Sequence, residues 1–349
     1  MIEVEEKYMR RALQLACNGA GNVSPNPMVG AVIVAGGKII GEGWHRKFGQ
    51  GHAEVNAVAS VSDRSLLRDC TVYVTLEPCS HYGKTPPCAK LLVDCGVPRV
   101  VVGCVDPFRE VSGRGVKMLR DAGVEVVVGV LEDECRQLNR RFFTAHTTGM
   151  PWVLLKWAQT ADGFIDRFRN NSAEKPVVIS TPLTRLLVHR ERSLCDAIVV
   201  GANTVRLDNP SLDNRYWSGN SPLRVVLDRR LSLPATSRVL TDGRPTIIYN
   251  AVRDGSEGAV TYVKLNTDEP ATWLRDLYRR GVTSVMVEGG AAIIGYMVAA
   301  GAWNEARIET SPINAGTGIV APMVDGEVVD NLKFGDNYVN IIANHVKKP

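Results

Sequence analysis

Three short pieces of this 349-residue chain carry residue types that could hold a metal and move a proton. They are His52-Ala53-Glu54, Pro78-Cys79, and Cys88, which follows Cys79 by nine residues. Zinc takes imidazole nitrogen and thiolate sulfur, and a catalytic zinc keeps three protein ligands with the fourth position left for water. His52, Cys79 and Cys88 make up such a set. Bound zinc brings the pKa of its water toward neutrality. Glu54, two residues from a ligand, can take that water's proton and hand it to a leaving group. The alternative is a closed structural zinc site. That needs a fourth ligand, and His81 is the candidate.

These side chains need elements to position them. His52 to Ser60 reads as a short helix, and the β-branched run Thr71 to Leu76 as a strand. Pro86 to Asp94 reads as a helix, with Thr85 able to cap it and proline suited to its first turn. Two helix N-termini then converge on the metal, where their dipoles favour thiolate. Around them, Glu5 to Ala20 has helical apolar spacing. Met28 to Ala35 and Lys38 to Trp44 read as a hairpin joined by Gly36-Gly37. Arg99 to Val105 is an expected strand, Arg114 to Asp121 a helix, and Val124 to Val130 a strand. The alternation predicts a mostly parallel sheet covered by helices on both faces.

The pattern restarts near residue 150. The segment NRRFFTAHTTGMP, ending at Pro151, reads as a linker. Strands are expected at Trp152–Trp157, Ala197–Val200, Leu223–Leu227, Thr246–Tyr249, Ala259–Leu265, Ser284–Val287, Ala306–Thr310 and after Asn337. Helices are expected at Thr184–Arg192, Thr272–Arg280 and from the Glu288-Gly289-Gly290 turn through Ala300. This is a second α/β unit.

The metal pieces match the His-x-Glu … Pro-Cys-x-x-Cys signature of zinc deaminases, with one departure. Eight residues, SHYGKTPP, separate the two cysteines where the signature has two. Here the chain resembles the bifunctional riboflavin biosynthesis deaminase/reductase family. The motifs SPNPMVGAVIV, GEGWHRKFGQGHAEVNA and TLEPCSHYGKTPPC carry the resemblance. The long spacing sets this branch apart from cytidine and tRNA adenosine deaminases. The resemblance implies a cytidine-deaminase-like three-layer α/β/α domain over residues 1–147, with one zinc. It implies that Asn26 and His45 line the pyrimidine pocket, and that Lys84 and Thr85 contact substrate, Lys84 at its phosphate. Asp106 corresponds to the acidic residue of the family's Asp-Pro-Asn-Pro loop. That loop reads Asp-Pro-Phe-Arg here, so Phe108 and Arg109 depart from the pattern.

In the second half, VMVEGGAAIIGYM is a strand, a glycine turn and a helix. Such a helix N-terminus lets backbone N–H groups approach a phosphate. It is not the GxGxxG dinucleotide fingerprint. The resemblance continues through KWAQTADGFID, VGANTVRLDNPSL, PLRVVLD and VEGG. It implies a dihydrofolate-reductase-like α/β domain over residues 150–349 that uses NADPH. Ala158, Thr204, Asp208 and the segment from Gly290 would meet NADPH. Ser172, Arg192, Leu212, Arg215 and Glu288 would meet substrate, and Lys156 would stabilise charge at the reacting carbon. Where the family has Trp-Ile-Thr/Ser, this chain has Val178-Ile179-Ser180, with extra spacing around Arg169 to Lys175. The implied chemistry is loss of the 2-amino group from 2,5-diamino-6-ribosylamino-4(3H)-pyrimidinone 5′-phosphate, then reduction of the ribosyl side chain to ribityl. The alternative is a deaminase whose second domain is an inactive reductase or binding module.

Composition sets the frame. The length exceeds what one core usually serves, so two domains are expected. An apolar fraction of 45% and a charged fraction of 22% are ordinary for a globular enzyme. The net charge of +4 comes without a polybasic tract, which argues against nucleic acid or a membrane surface. A small phosphorylated molecule suits it better. No apolar run is long enough to span a bilayer, and MIEVEEKYMRRAL is not a secretory signal, so the cytoplasm is expected. Seven of the eight cysteines lie at or before Cys135, which fits free buried thiols plus a metal site. A homo-oligomer is the expected assembly.

Overall fold

The computed structural model describes residues 5–81, 86–107 and 112–345. Lys84, Thr85, Phe108 and Arg109 lie outside them. The chain divides into two compact units between Thr148 and Gly149.

The first unit runs α1 (Glu6–Cys17), β1 (Gly30–Ala35), β2 (Lys38–Trp44), α2 (Ala53–Ser60), β3 (Cys70–Leu76), α3 (Cys88–Asp94), β4 (Arg99–Cys104), α4 (Arg114–Asp121), β5 (Glu125–Val128), α5 (Glu132–Leu138) and α6 (Arg140–Thr148). Its sheet has the order β2-β1-β3-β4-β5. The strands alternate their side chains between two apolar layers. Ala31, Ile33, Val72, Val74, Val100 and Val102 pack with Ala57, Leu92 and Leu119 of α2, α3 and α4. Val32, Val34, Tyr73 and Val101 pack on the other face with Met9, Ala12, Cys135 and Phe143 of α1, α5 and α6. The period-2 alternation of each strand therefore builds both interfaces of a three-layer unit.

Two expectations fail here. The sheet is mixed rather than mostly parallel: β1 is antiparallel to both β2 and β3, and only β3-β4-β5 run parallel. The hairpin at Gly36-Gly37 turns the chain back, and no crossover helix lies between β1 and β2. The expected linker is helical as well. Residues Arg140–Thr148 form α6 because Phe143 and Ala145 bury into the first unit's core. Only the residues from Gly149, with its left-handed φ of 66°, leave the unit.

The second unit runs β6 (Trp152–Gln159), β7 (Phe164–Asp166), α7 (Pro182–Leu194), β8 (Ala197–Gly201), α8 (Ala202–Asp208), β9 (Leu223–Leu227), α9 (Arg238–Thr241), β10 (Thr246–Asn250), β11 (Gly255–Glu257), β12 (Val260–Lys264), α10 (Pro270–Arg279), β13 (Ser284–Glu288), α11 (Ala291–Ala299), β14 (Glu305–Thr310), β15 (Ile319–Val320), β16 (Glu327–Phe334) and β17 (Asn337–Ala343). Ten strands form one sheet, ordered β11-β12-β10-β9-β8-β13-β6-β14-β17-β16. Its middle, from β12 through β14, is parallel, and its two margins are antiparallel. One face packs Val153, Leu155, Val199, Val285 and Val287 against Trp273, Leu277 and Ile294. The other packs Leu154, Ile198, Val226 and Met286 against Val205, Leu212 and Val239. Helix α7 starts cleanly because Thr181 and Thr184 form a reciprocal capping box with Pro182 in the first turn. Among the described residues, no helix is long and apolar enough to cross a membrane.

Candidate functional site

In the first unit, the loops at one end of β2 and β3 bring His52, Cys79 and Cys88 together. His52 immediately precedes α2 without a side-chain capping bond, Cys79 lies just past β3, and Cys88 opens α3. The Nδ1 atom of His52 lies 3.6 Å from Cys79 Sγ and 3.4 Å from Cys88 Sγ. All three candidate ligand atoms fall within 4.8 Å of one another. A tetrahedral zinc separates a nitrogen and a sulfur ligand by about 3.6 Å, and two sulfurs by about 3.8 Å, from its usual bond lengths. The donor set and its spacing fit zinc. His81 is exposed and lies outside the cluster, so among the described residues three ligands converge and not four.

The electrostatics follow from this crowding. The Cys88 thiol and the His52 imidazole both hydrogen-bond to Cys79 sulfur, and the Cys88 backbone N–H donates to it at 3.2 Å. These bonds outweigh burial and pull the Cys79 thiol down to about 4. The same contact pushes Cys88 up and raises His52. Glu54, in the first turn of α2, is only 3% exposed. Burial, together with the Cys79 thiolate, raises its carboxyl to about 7. A group poised near neutrality can both take and give a proton.

His45 lies beside this cluster, its ring edge-on to His52 at 5.4 Å between centroids. Its Nδ1 is 3.2 Å from the Gly51 carbonyl, which only an Nδ1–H can satisfy. Its Nε2 then accepts from Asn26 Nδ2 at 3.3 Å. Burial lowers its pKa, and the neighbouring His52 adds to this, so the neutral tautomer is favoured. The structure thus brings Asn26, His45, His52, Glu54, Cys79 and Cys88 together. Lys84 and Thr85 lie outside the described residues. So does any cap that Thr85 could supply: α3 begins at Cys88 behind Pro87, two residues later than expected, with no side-chain cap.

In the second unit, a cavity of about 710 Å³ opens at the carboxyl ends of the central strands. Such crevices are where open α/β sheets take ligands. Parallel pairing sets Lys156 directly beside Glu288 on the neighbouring strand. Lys156 Nζ lies 3.6 Å from Glu288 Oε1. Arg192 of α7 donates to Glu288 Oε2 at 2.9 Å and to the Asp213 carbonyl at 2.8 Å. Burial alone would raise the Glu288 carboxyl, but Arg192 and Lys156 overcome it and hold it at about 2. The Gly289-Gly290 turn has φ of 84° and 76°, a left-handed path that glycine takes without strain. It leads into α11 against Thr204.

Of the residues expected here, Lys156, Ala158, Arg192, Thr204, Asp208, Leu212, Glu288 and Gly290 line the cavity. Two do not. Ser172 is exposed in a turn of the 170–175 segment, and Arg215 is exposed and paired with Asp213. Five unforeseen polar residues line it: Asp166, Arg169, Ser180, Arg185 and Asn203. Arg169 is nearly buried and bridges Asp166 and Asp208, each at 2.6 Å. The extra spacing around Arg169 was the available signal.

Residues 151–347 match the family described as RibD C-terminal domain, and residues 2–104 match the cytidine and deoxycytidylate deaminase zinc-binding region. The chain is 40% identical to riboflavin biosynthesis protein RibD of Bacillus amyloliquefaciens, covering 95% of this chain and 90% of that one. It is 38% identical to the RibD of Aquifex aeolicus, covering 99% and 94%. Among solved structures, it resembles the diaminohydroxyphosphoribosylaminopyrimidine deaminase/5-amino-6-(5-phosphoribosylamino)uracil reductase of Thermotoga maritima, with a TM-score of 0.87, 36% identity and 97% and 98% coverage. RibD of Acinetobacter baumannii gives a TM-score of 0.88 at 32% identity, covering 97% and 98%. Two units with separate polar sites, both matched within single relatives over nearly their whole lengths, place this chain in the RibD family of riboflavin biosynthesis proteins.

Proposed function

We propose that this chain catalyses two successive steps on one phosphorylated pyrimidine. The first is zinc-dependent hydrolytic removal of the 2-amino group of 2,5-diamino-6-ribosylamino-4(3H)-pyrimidinone 5′-phosphate. The second is NADPH-dependent reduction of the ribosyl side chain to ribityl. The observation that carries this reading is the pairing, in one chain, of the His52–Cys79–Cys88 triangle beside buried Glu54 with the Lys156–Glu288–Arg192 cavity.

In the first unit, His52, Cys79 and Cys88 would hold zinc, which supplies an activated water at neutral pH. Glu54 would take one proton from that water and give it to the ring nitrogen, then carry the remaining hydroxyl proton to the amine, which leaves as ammonia while the carbonyl forms. Its burial keeps this proton from bulk solvent. His45 and Asn26 offer an ordered, neutral hydrogen-bonding edge to the pyrimidine. Asp106 is assigned to the same substrate, as are Lys84 and Thr85.

In the second unit, bound NADPH supplies the hydride. The Gly289-Gly290 turn, Thr204, Ala158 and Asp208 receive the cofactor, with backbone N–H groups at the α11 N-terminus meeting phosphate. Glu288, held ionised, fixes the Lys156 ammonium at the cavity wall, where it stabilises charge as the ribose opens and C1′ is reduced. Arg192 and Leu212 border the substrate side of the cavity. Arg215, outside the cavity lining, and Ser172 are weaker candidates.

Two further parts of this reading concern the setting. The cytoplasm is supported by the eight cysteines, none of which is in a disulfide. Self-association is supported by β16, a long outer strand with Val328 and Val329 exposed at the sheet edge. Light scattering on the purified chain tests it.

The chain, given the diaminopyrimidine phosphate, is expected to release ammonia and then to oxidise NADPH. Ammonia release with no NADPH oxidation, even on the deaminated intermediate, would leave the deaminase-only alternative standing. The match over residues 151–347 and the lined cavity favour the bifunctional reading.

A further inference from the structure

Glu77 immediately precedes the Pro78-Cys79 metal loop, and its side chain is almost fully buried. Its carboxylate accepts four backbone N–H groups. Oε1 takes those of Gly115 and Val116 at 2.8 and 3.1 Å. Oε2 takes those of Gly113 and Asp106 at 2.9 and 3.2 Å. The first pair is what a cap on α4 requires, since they are the second and third residues of that helix. The second pair is not needed for a cap. Asp106 lies seven residues before Gly113, on the loop that follows β4. Four donors use up about all the acceptor sites of one carboxylate, so Glu77 is left no free lone pair for a metal or a substrate proton.

A backbone contact closes the same joint. A Cβ on Gly115 would lie 1.9 Å from the Pro78 carbonyl oxygen, so the first turn of α4 rests directly on the metal loop. Glu77 itself donates its N–H to the Cys104 carbonyl at 2.9 Å. The metal loop, the end of β4, the Asp106 backbone and the α4 N-terminus therefore meet at one buried carboxylate.

We propose that Glu77 is a positioning residue for the deaminase reaction. It fixes the Asp106 backbone relative to Cys79, and so sets where the substrate-facing carboxylate stands with respect to the metal centre. This rests on the assignment of Asp106 to substrate.

The test compares Glu77→Gln, Asp106→Ala and the double variant in the full chain, by zinc content and steady-state deamination. In Glu77→Gln an amide NH₂ replaces one acceptor oxygen and faces two N–H groups, so half the joint opens. Zinc should stay bound. KM for the diaminopyrimidine phosphate should rise about ten- to a hundredfold while kcat changes much less, since misplacement of about 1 Å carries that scale of penalty. Glu77→Asp, which keeps both acceptor oxygens, should recover part of the loss. In the Asp106→Ala background, Glu77→Gln should add little, because the carboxylate that Glu77 positions is already gone. An unchanged KM in Glu77→Gln, or fully additive effects, overturns the proposal. An unchanged KM in Asp106→Ala instead overturns the Asp106 assignment. If Glu77→Gln fails to load zinc, amide hydrogen exchange on the unaltered chain decides. Protection at Asp106 matching that at Gly115 and Val116 supports the joint, and solvent-fast exchange at Asp106 overturns it.

Discussion

A carboxyl group that must accept a proton and then release it works best when its pKa lies near the working pH. Glu54 meets that condition through burial and the thiolate beside it, which bring it to about 7. Glu54→Gln removes the proton carrier but leaves His52, Cys79 and Cys88 in place. Deamination should fall about 10²- to 10⁴-fold with zinc content unchanged. In the same chain, reduction of the deaminated intermediate should continue. Lys156→Met should do the converse, sparing ammonia release and lowering NADPH oxidation. Much of this scale was legible in the sequence. Histidine, glutamate and cysteine at those spacings have few other reasons to sit where one strand ends and two helices begin. Arg169 was not legible. Its place depends on how a segment with extra residues folds back over Asp208, and spacing alone does not say which of its side chains turns inward. Ser172 lies on that same segment, in an exposed turn outside the cavity lining.

At the scale of elements, local pattern gave most of the longer strands and helices to within two or three residues, missed α5, α8, α9, β7, β11, β15 and the edge strand β16, and misread the segment that forms α6. The segment after Asn139 contains no turn signal before Gly149. Its mix of charged and aromatic residues reads as loop only until Phe143 is seen in the core. Truncating that side chain tests whether α6 is part of the first unit. Phe143→Ala should destabilise the unit by about 3–5 kcal/mol in denaturant unfolding, the usual cost of emptying a buried aromatic site. A segment that merely links units would show almost none. Helix α7 carries a different prediction. His189 is buried, and its Nδ1 accepts the Arg215 backbone N–H at 3.2 Å. Its ring packs edge-on against Tyr216. Burial, with Arg192 and Arg215 nearby, lowers its pKa to about 4. Its unfolded value is about 6.5. Between these values the unfolded chain binds a proton that the folded chain does not. Stability should therefore be full above about pH 6.5 and decline as pH falls toward 4. Thermal unfolding against pH should show this slope, and His189→Gln should flatten it. Equal slopes in the two proteins would contradict the assignment.

On the scale of the whole molecule, two compact units each bring a cluster of polar groups to one end of a sheet. The mixed order of the first sheet was not legible, because alternation of helices and strands cannot reveal that a hairpin reverses the direction of β1. The site survives that error, since the loops that carry the ligands follow β2 and β3 in either case. The most direct test of the account follows from the division of labour. A metal chelator should abolish ammonia release from the diaminopyrimidine phosphate. NADPH oxidation should then cease on that substrate but continue when the deaminated intermediate is supplied. Deamination that persists after zinc is stripped, or NADPH oxidation lost on the intermediate as well, would contradict the assignment of one metal-dependent and one metal-independent step to this chain.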